Sequence, residues 1–146
     1  MFWVRPARPR DYLSIIRLLK KSGQYDADLD SREYFLETLD SDYQFAFVAT
    51  EQGRIVGAIT KSAYFSGYAY IGRLAVDPDY RRRGIADSLV SSVEECVANA
   101  GGIRVHTFAR KSNIASRKLL EKHNYRNLKN RFIYDKDFRK TKTEIV

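Results

Sequence analysis

The stretch from residue 70 to residue 108 constrains the fold more than any other part of the chain. Short apolar runs at 70–76 and 103–108 are typical of strands. Between them, apolar residues recur every three or four positions over 84–100, which predicts an amphipathic helix ended by the two glycines that follow. Strands joined through a helix of that length are parallel, with a right-handed connection. The pattern therefore predicts an α/β architecture.

The rest of the 146-residue chain continues this alternation, and no linker or internal repeat divides it. Gln52 and Gly53 form a tight turn between two strand-like runs, which predicts a hairpin. The predicted strands are 3–5, 45–49, 54–59 with a continuation through 64–65, 70–76, 103–108 and 131–135; the predicted helices are 9–20, 31–39, 84–100 and 112–123. We expect one domain over 1–146, with a basic tail that frays from about residue 138.

Cysteine and histidine are too scarce for a disulfide framework or a metal cluster. The chain has one cysteine, Cys96, and two histidines, His106 and His123. Cys96 falls on the apolar face of its helix, which favours a core residue over a nucleophile. The N-terminus lacks the apolar core of a signal peptide, and no apolar stretch approaches the roughly 18 residues of a membrane helix. We therefore expect a cytoplasmic protein without a metal site or membrane contact.

Three arginines stand between the strand that ends at Asp77 and Pro78 and the helix that follows. Residues 81–86 read Arg-Arg-Arg-Gly-Ile-Ala. The first N–H groups of a helix have no intrahelical partner and lie at the positive end of its dipole. Gly84 lets the backbone approach a ligand closely, and the guanidinium groups add positive charge. The segment predicts an anion site suited to a pyrophosphate, with a solvated basic turn as the alternative.

The same segment resembles the cofactor signature Q/R-x-x-G-x-G/A of the Gcn5-related N-acetyltransferases (GNAT). Residues 74–78 are similar to that family's fourth strand, residues 4–11 to its first strand and helix entry, and residues 55–57 to its third strand. The family's later pattern N-x-x-A-x-x-L-Y-E-x-x-G-F is partly matched by Asn113, Ser116, Leu119, Glu121 and Tyr125. The resemblance spans residue 4 to about residue 135, and the cofactor segment is its most specific part.

The resemblance implies the acyl-CoA N-acyltransferase fold. That fold is a single mixed, mostly antiparallel sheet with a central parallel strand–helix–strand unit and helices on both faces. Its fourth and fifth strands splay apart, and the pantetheine arm of acetyl-CoA lies between them. The cofactor-binding residues implied here are Leu74, Ala75, Val76, Arg81, Arg82, Arg83, Gly84, Ile85, Ala86, Asp87, Asn113, Ser116 and Arg117.

The implied reaction is attack of a neutral amine on the thioester of acetyl-CoA. A backbone N–H near Val76 is expected to stabilise the oxyanion. The family often has a tyrosine acid at a position that is Leu120 here, so another tyrosine, with Tyr134 as the candidate, or solvent must protonate the thiolate. His106 is the candidate base, with a packed or surface histidine as the alternative. Tyr125 is interpreted as a packing residue.

The acceptor pocket is expected between the first two helices and the loop near residues 64–70. Aromatic residues of this region are Tyr25, Tyr34, Tyr64, Phe65, Tyr68 and Tyr70. Asp26, Asp28, Asp30 and Glu33 are candidates to attract a cationic amine, or they form an ordinary solvated loop.

The predicted function is acetyl-CoA-dependent acetylation of a primary amine: a protein N-terminus, a lysine or a small amine. The net charge of +8 favours an anionic partner, and the cofactor phosphates account for much of it. The alternatives are acetylation of an aminoacyl-tRNA, a non-catalytic CoA-binding module and a basic nucleic-acid-binding domain, although the last lacks a recognisable nucleic-acid motif. Monomer and homodimer both remain open.

Overall fold

The computed structural model describes residues 1–139. Its internal contacts divide the chain into two compact units, Met1–Arg110 and Lys111–Val146, and each is described by itself. The first unit holds the sheet and three helices. Its elements are β1 (Trp3–Pro6), α1 (Tyr12–Lys21), α2 (Arg32–Asp40), β2 (Gln44–Glu51), β3 (Arg54–Phe65), β4 (Tyr68–Tyr70), β5 (Leu74–Val76), α3 (Ile85–Asn99) and β6 (Arg104–His106). Short 3₁₀ turns at Pro9–Asp11 and Pro78–Tyr80 precede α1 and α3.

The six strands form one open sheet in the order β1-β2-β3-β4-β6, with β5 also paired to β3. Every pairing is antiparallel except that of β4 with β6, which is parallel. The predicted hairpin is present, because β2 and β3 pair around Gln52 and Gly53. The expected mixed, mostly antiparallel sheet with a parallel unit connected through α3 is therefore confirmed.

The prediction of one strand over 70–76 is wrong. β3 is long enough to pair with β4 at one end and β5 at the other, and the chain leaves the sheet between them. Arg73 takes a left-handed conformation there, with φ of 59°. The predicted strand over 103–108 is also shorter, because only Arg104–His106 pair, and they pair with β4. Consequently β5 and β6 share no pairing, and a gap opens between them.

Helices cover both faces of the sheet. One face carries α1 and α2, whose buried side chains, among them Leu19 and Phe35, form a core with Val48 and Ala58 of the sheet. Strand neighbours point to opposite faces, so Gly57 lies on the other side. A Cβ atom on Gly57 would come within 2.6 Å of Ile85 Cγ2, which shows how closely α3 packs on that face.

The second unit contains α4 (Ile114–Lys122), capped by Asn113, whose side-chain oxygen accepts a hydrogen bond from the Ser116 N–H at 3.0 Å. The predicted strand at 131–135 is wrong, since these residues form no strand in the structure. A strand requires a hydrogen-bonded neighbour, which periodicity alone does not supply. Most of the tail predicted to fray from about residue 138 lies at 140–146, outside the described residues.

Candidate active site

The start of α3 is open to a ligand. Gly84 occupies the N-cap position in a left-handed conformation, with φ of 82°, and no side chain caps the helix. A Cβ atom added to Gly84 would meet nothing within 4 Å, so the space in front of the turn is free. The first amide groups of α3 therefore have no side-chain partner, and their binding of an anion stays a prediction.

The three arginines of the turn differ in their partners. Arg83 forms a bidentate ion pair with Glu51 at the end of β2, with distances of 3.0 and 2.6 Å. Its guanidinium also lies 5.2 Å from the centre of the Tyr80 ring. Arg81 and Arg82 are exposed and form no ion pair with any residue in 1–139. Arg81 and Arg82 are thus free to meet an anion, whereas Arg83 is held at the sheet.

Alternate residues of β5 direct their backbone N–H and C=O groups towards the gap between β5 and β6. Asp77 N–H donates to Val56 O at 2.9 Å, and Thr60 N–H donates to Arg73 O at 3.3 Å. Because antiparallel hydrogen-bonded pairs alternate, Ala75 is the residue of β5 that bonds to β3.

The N–H and C=O groups of Leu74 and Val76 consequently point away from β3. Gln24 Nε2 donates to Leu74 O at 3.1 Å, as this orientation requires. The N–H of Val76 faces the gap on a strand that pairs with β3 alone. It can donate to a ligand without disturbing the sheet.

A buried ion pair fixes the irregular segment before β5. Arg73 Nη2 donates to the carboxylate of Asp30 and, at 3.0 Å, to Gln24 O. Asp30 is only 7% exposed, and its carboxylate also accepts from the Asp26 N–H at 2.8 Å. The segment between α1 and α2 is therefore tied to the start of β5. Sequence reasoning missed Arg73, because its role depends on a left-handed turn that no residue pattern predicts.

His106 lies exposed at the end of β6. Its ring stacks on Tyr68, with centroids 6.1 Å apart and an interplanar angle of 12°. Its backbone oxygen accepts from the Ile71 N–H at 3.2 Å, so the residue stands at the gap between β5 and β6. Phe108 follows β6 and lies outside any strand. The solvent access and position of His106 are compatible with a base, and its catalytic role stays a prediction.

The acidic loop between α1 and α2 is largely structural. Asp26 Oδ1 accepts from the N–H groups of Asp28 and Leu29 at 2.9 and 3.1 Å, which closes a turn. The Asp30 carboxylate forms an ion pair with Arg73. Among the predicted aromatic residues, Tyr25, Tyr34, Phe65, Tyr68 and Tyr70 are exposed, and Tyr64 is half-buried.

The remaining predicted site residues belong to the second unit. The side-chain oxygen of Asn113 is used as a helix cap, and Arg117 Nη1 donates to Lys111 O at 3.1 Å. Ser116 and Leu120 are half-buried on α4. Tyr134 is 91% exposed. The assignments of Asn113, Ser116, Arg117 and Tyr134 stay predictions.

Residues 1–139 contain no cluster of three or more potential metal ligands. None of the helices in this part of the chain is long and apolar enough to span a bilayer. The Cys96 thiol is half-buried, and burial raises its pKa, which disfavours the thiolate. The expected cytoplasmic location stays a prediction.

Comparison with known proteins places the chain among acetyltransferases. The profile of the acetyltransferase (GNAT) family matches residues 12–125. An acetyltransferase of Pectobacterium atrosepticum is 31% identical over 124 residues, which cover 84% of this chain and 86% of that protein.

Solved structures show the same fold. The aminoglycoside N-acetyltransferase AAC(6')-Iy, in complex with a bisubstrate analogue of CoA, superposes with a TM-score of 0.78 at 18% identity, covering 94% of this chain and 99% of its own. The ribosomal-protein-S18-alanine N-acetyltransferase of Escherichia coli superposes with a TM-score of 0.71 at 20% identity, covering 84% and 76%.

Proposed function

Because the chain belongs to the GNAT family of acetyltransferases, we propose that it transfers the acetyl group of acetyl-CoA directly to a primary amine. One structural observation carries the proposal. The outward-facing edge of β5 leads, through a short turn, into the uncapped start of α3. Both features offer backbone N–H groups that form no hydrogen bond with residues 1–139.

The residues of the first unit fit acetyl-CoA. The amides of residues 82–86 and the free side chains of Arg81 and Arg82 suit the pyrophosphate. The outward-facing backbone groups of Val76 and the N–H of Leu74 suit the amides of the pantetheine arm, whereas Leu74 O already accepts from Gln24 Nε2. Ala75 packs into the core and bonds to β3, so it supports this edge without facing the ligand. Arg83 contributes by fixing the turn against Glu51.

We propose that the two units act as one acetyltransferase domain. The family profile runs from residue 12 to residue 125, through the division at Arg110. On this basis Asn113, Ser116 and Arg117 of α4 add contacts to the cofactor, although the Asn113 side-chain oxygen is already used as a helix cap.

The residues of this chain contribute to catalysis by polarising the thioester carbonyl and by transferring protons from the amine and to the thiolate. As cosubstrate, acetyl-CoA supplies an activated thioester carbonyl. The Val76 N–H donates to the oxyanion that develops when an amine attacks, and the rigid strand holds this donor in place. His106 accepts the amine proton, directly or through water, at the solvent-exposed end of β6. Leu120 cannot donate a proton, so Tyr134 or solvent protonates the departing thiolate.

Release of free thiol from acetyl-CoA across a panel of primary amines tests the proposal. We expect thiol release that depends on the amine, with an equal amount of acetylated product by mass spectrometry. Binding of acetyl-CoA without turnover across the panel would instead support a non-catalytic module. Turnover confined to aminoacyl-tRNA, with a steep salt dependence, would support the tRNA alternative.

The pH dependence of the reaction rate tests whether His106 is the general base. His106→Ala should lower kcat/KM and change the acidic limb of the profile, while His123→Ala at the chain's other histidine should keep that limb. An unchanged profile for His106→Ala would remove it as the base.

A further inference from the structure

An ion-pair cluster lies at the turn that joins the two proposed cofactor contacts. Lys21 Nζ, at the end of α1, lies 2.9 Å from Asp77 Oδ1 and 3.0 Å from Asp79 Oδ2. Asp77 directly follows β5, and Asp79 belongs to the 3₁₀ turn that precedes α3. One ammonium therefore contacts both carboxylates of the segment between the Val76 N–H and the start of α3.

Asp77 is the buried member of the cluster, with 5% of its surface exposed. Its Oδ1 accepts from the Asp79 N–H at 2.9 Å, and its backbone oxygen accepts from the Tyr80 N–H at 2.8 Å. Burial acts to raise the pKa of Asp77, but the hydrogen bonds from the Asp79 N–H and from Lys21 outweigh it and hold that pKa below its ordinary value. The buried carboxylate is consequently ionised at neutral pH.

Both carboxylates place negative charge close to a site that is proposed to bind a diphosphate. Asp79 is two residues from Arg81, so their Cα atoms are within about 7 Å of each other. Within residues 1–139, Lys21 is the cation that forms ion pairs with these carboxylates. Arg54, exposed at the start of β3, adds only a weaker attraction to Asp77. Loss of the Lys21 ammonium would therefore leave one more negative charge beside the diphosphate.

Resting on the proposed function, we propose that Lys21 is a positioning residue for acetyl-CoA, which acts by neutralising Asp77 and Asp79 beside the anion site. Lys21 needs no contact with the cofactor for this role. The ion pairs keep the turn from repelling the diphosphate, so Arg81 and Arg82 attract it without opposition from the neighbouring carboxylates. The competing explanation is a partly exposed ion pair that contributes only to stability.

Coulomb's law gives the size of the expected effect. One unit charge about 10 Å from the two charges of a diphosphate corresponds to about a fourfold change in affinity at the dielectric constant of water, and to a larger change beside a protein surface. Salt screens such an interaction, because the Debye length falls from about 30 Å at 0.01 M to about 3 Å at 1 M. We therefore expect an effect that is present at low salt and disappears at high salt.

Calorimetry with acetyl-CoA on the full chain measures this effect. Lys21→Met should bind acetyl-CoA about three- to tenfold more weakly than the unmodified protein at about 0.01 M salt, and the two affinities should converge at about 1 M. Lys21→Arg keeps the charge and should retain most of the affinity. Lys20→Met is the matched control for loss of a lysine, because Lys20 Nζ lies 4.8 Å from the centre of the Tyr25 ring and pairs with neither carboxylate. It should bind nearly as the unmodified protein does.

Two further variants separate the effect of charge from the effect of structure. The Asp79 side chain is 74% exposed, so Asp79→Asn should fold normally and bind acetyl-CoA about two- to fourfold more tightly at low salt. The double variant Lys21→Met/Asp79→Asn restores the net charge of the cluster and should recover most of the lost affinity. A purely structural tie would not be recovered, because the double variant removes both of its ends.

Equal affinities of Lys21→Met and the unmodified protein at low salt would overturn the inference, as would an unchanged affinity in Asp79→Asn. A weakening that persists at high salt, or that the double variant fails to recover, would show a structural tie and reject neutralisation. Normal acetyl-CoA binding and thiol release in the unmodified protein, combined with either result, would reject the inference alone. Absence of acetyl-CoA binding by the unmodified protein would reject the proposed function and the inference with it.

Discussion

Replacing Val76 by proline removes the proposed oxyanion donor while sparing the sheet. The Val76 N–H points away from β3, so its loss breaks no ladder hydrogen bond. The preceding residue, Ala75, is already in a strand, which is the conformation that a following proline requires. Removal of one oxyanion donor typically lowers kcat by about 10²–10³, or about 2.7–4 kcal/mol. We expect a loss of that size at saturating acetyl-CoA.

Ala75→Pro is the matched control. Ala75 lies one residue away, is 2% exposed and bonds to Ala58, so proline there removes a ladder hydrogen bond and leaves a buried acceptor unpaired, which costs about 1–3 kcal/mol in folding free energy. Urea denaturation and steady-state kinetics measure both variants. Unchanged kcat in Val76→Pro would reject this N–H as the donor. Equal destabilisation by the two prolines would show that the alternation assigned to β5 is wrong.

Two further predictions concern packing and pH. Gly57→Ala places a Cβ atom 2.6 Å from Ile85 Cγ2, so we expect the free energy of unfolding to fall by about 1–3 kcal/mol in urea titrations; an unchanged midpoint would contradict the close packing of α3. The hydrogen-bonded guanidinium of Arg5 holds the pKa of Asp11 below its ordinary value, so stability from this pair is present above about pH 4 and is lost as pH falls through the folded-state pKa. Asp11→Asn should remove that part of the acid sensitivity, and retention of the full pH dependence would assign it elsewhere.

The sequence predicts the part of the site that depends on local chemistry. A strand that ends in Asp77-Pro78, a glycine and a long amphipathic helix are each visible in residue types, and the structure contains all three in that order. The helix start at Gly84 follows from glycine's access to left-handed backbone conformations. Helix caps are also local, because the side chains of Ser31 and Asn113 each accept from the backbone N–H three residues later.

Features that depend on distant partners were not predictable. Gly72 is the only residue between β4 and β5 whose type disfavours a strand. The interruption is fixed by the ion pair of Arg73 with Asp30, which lies 43 residues away in the chain. The ion pair between Arg83 and Glu51 also joins residues from different elements. The spacing of apolar residues does not reveal such pairs, so the sequence gives Arg81, Arg82 and Arg83 the same predicted role in the anion site.

The acceptor pocket that the sequence predicts between the first two helices and the loop near residues 64–70 stays a prediction. A small pocket lies between α1, α2 and β3, bordered by Thr60 and Lys61 of β3. Thr60 and Lys61 read as ordinary members of a long strand, because an unpartnered hydroxyl is recognised only when its surroundings are known. The apolar run of β3 gave no signal that two polar side chains border a pocket.

The account depends most on an anion site at the start of α3, and calorimetry with acetyl-CoA measures it directly. In the double variant Arg81→Glu/Arg82→Glu we expect at least about tenfold weaker binding per arginine, because hydrogen bonds to charged groups contribute about 1.5–3 kcal/mol each. The control Arg17→Glu/Lys20→Glu makes the same change in net charge on the exposed face of α1 and should bind nearly as the unmodified protein does. If acetyl-CoA affinity fell equally in both double variants, or did not fall in Arg81→Glu/Arg82→Glu, the anion site at the start of α3 would be contradicted.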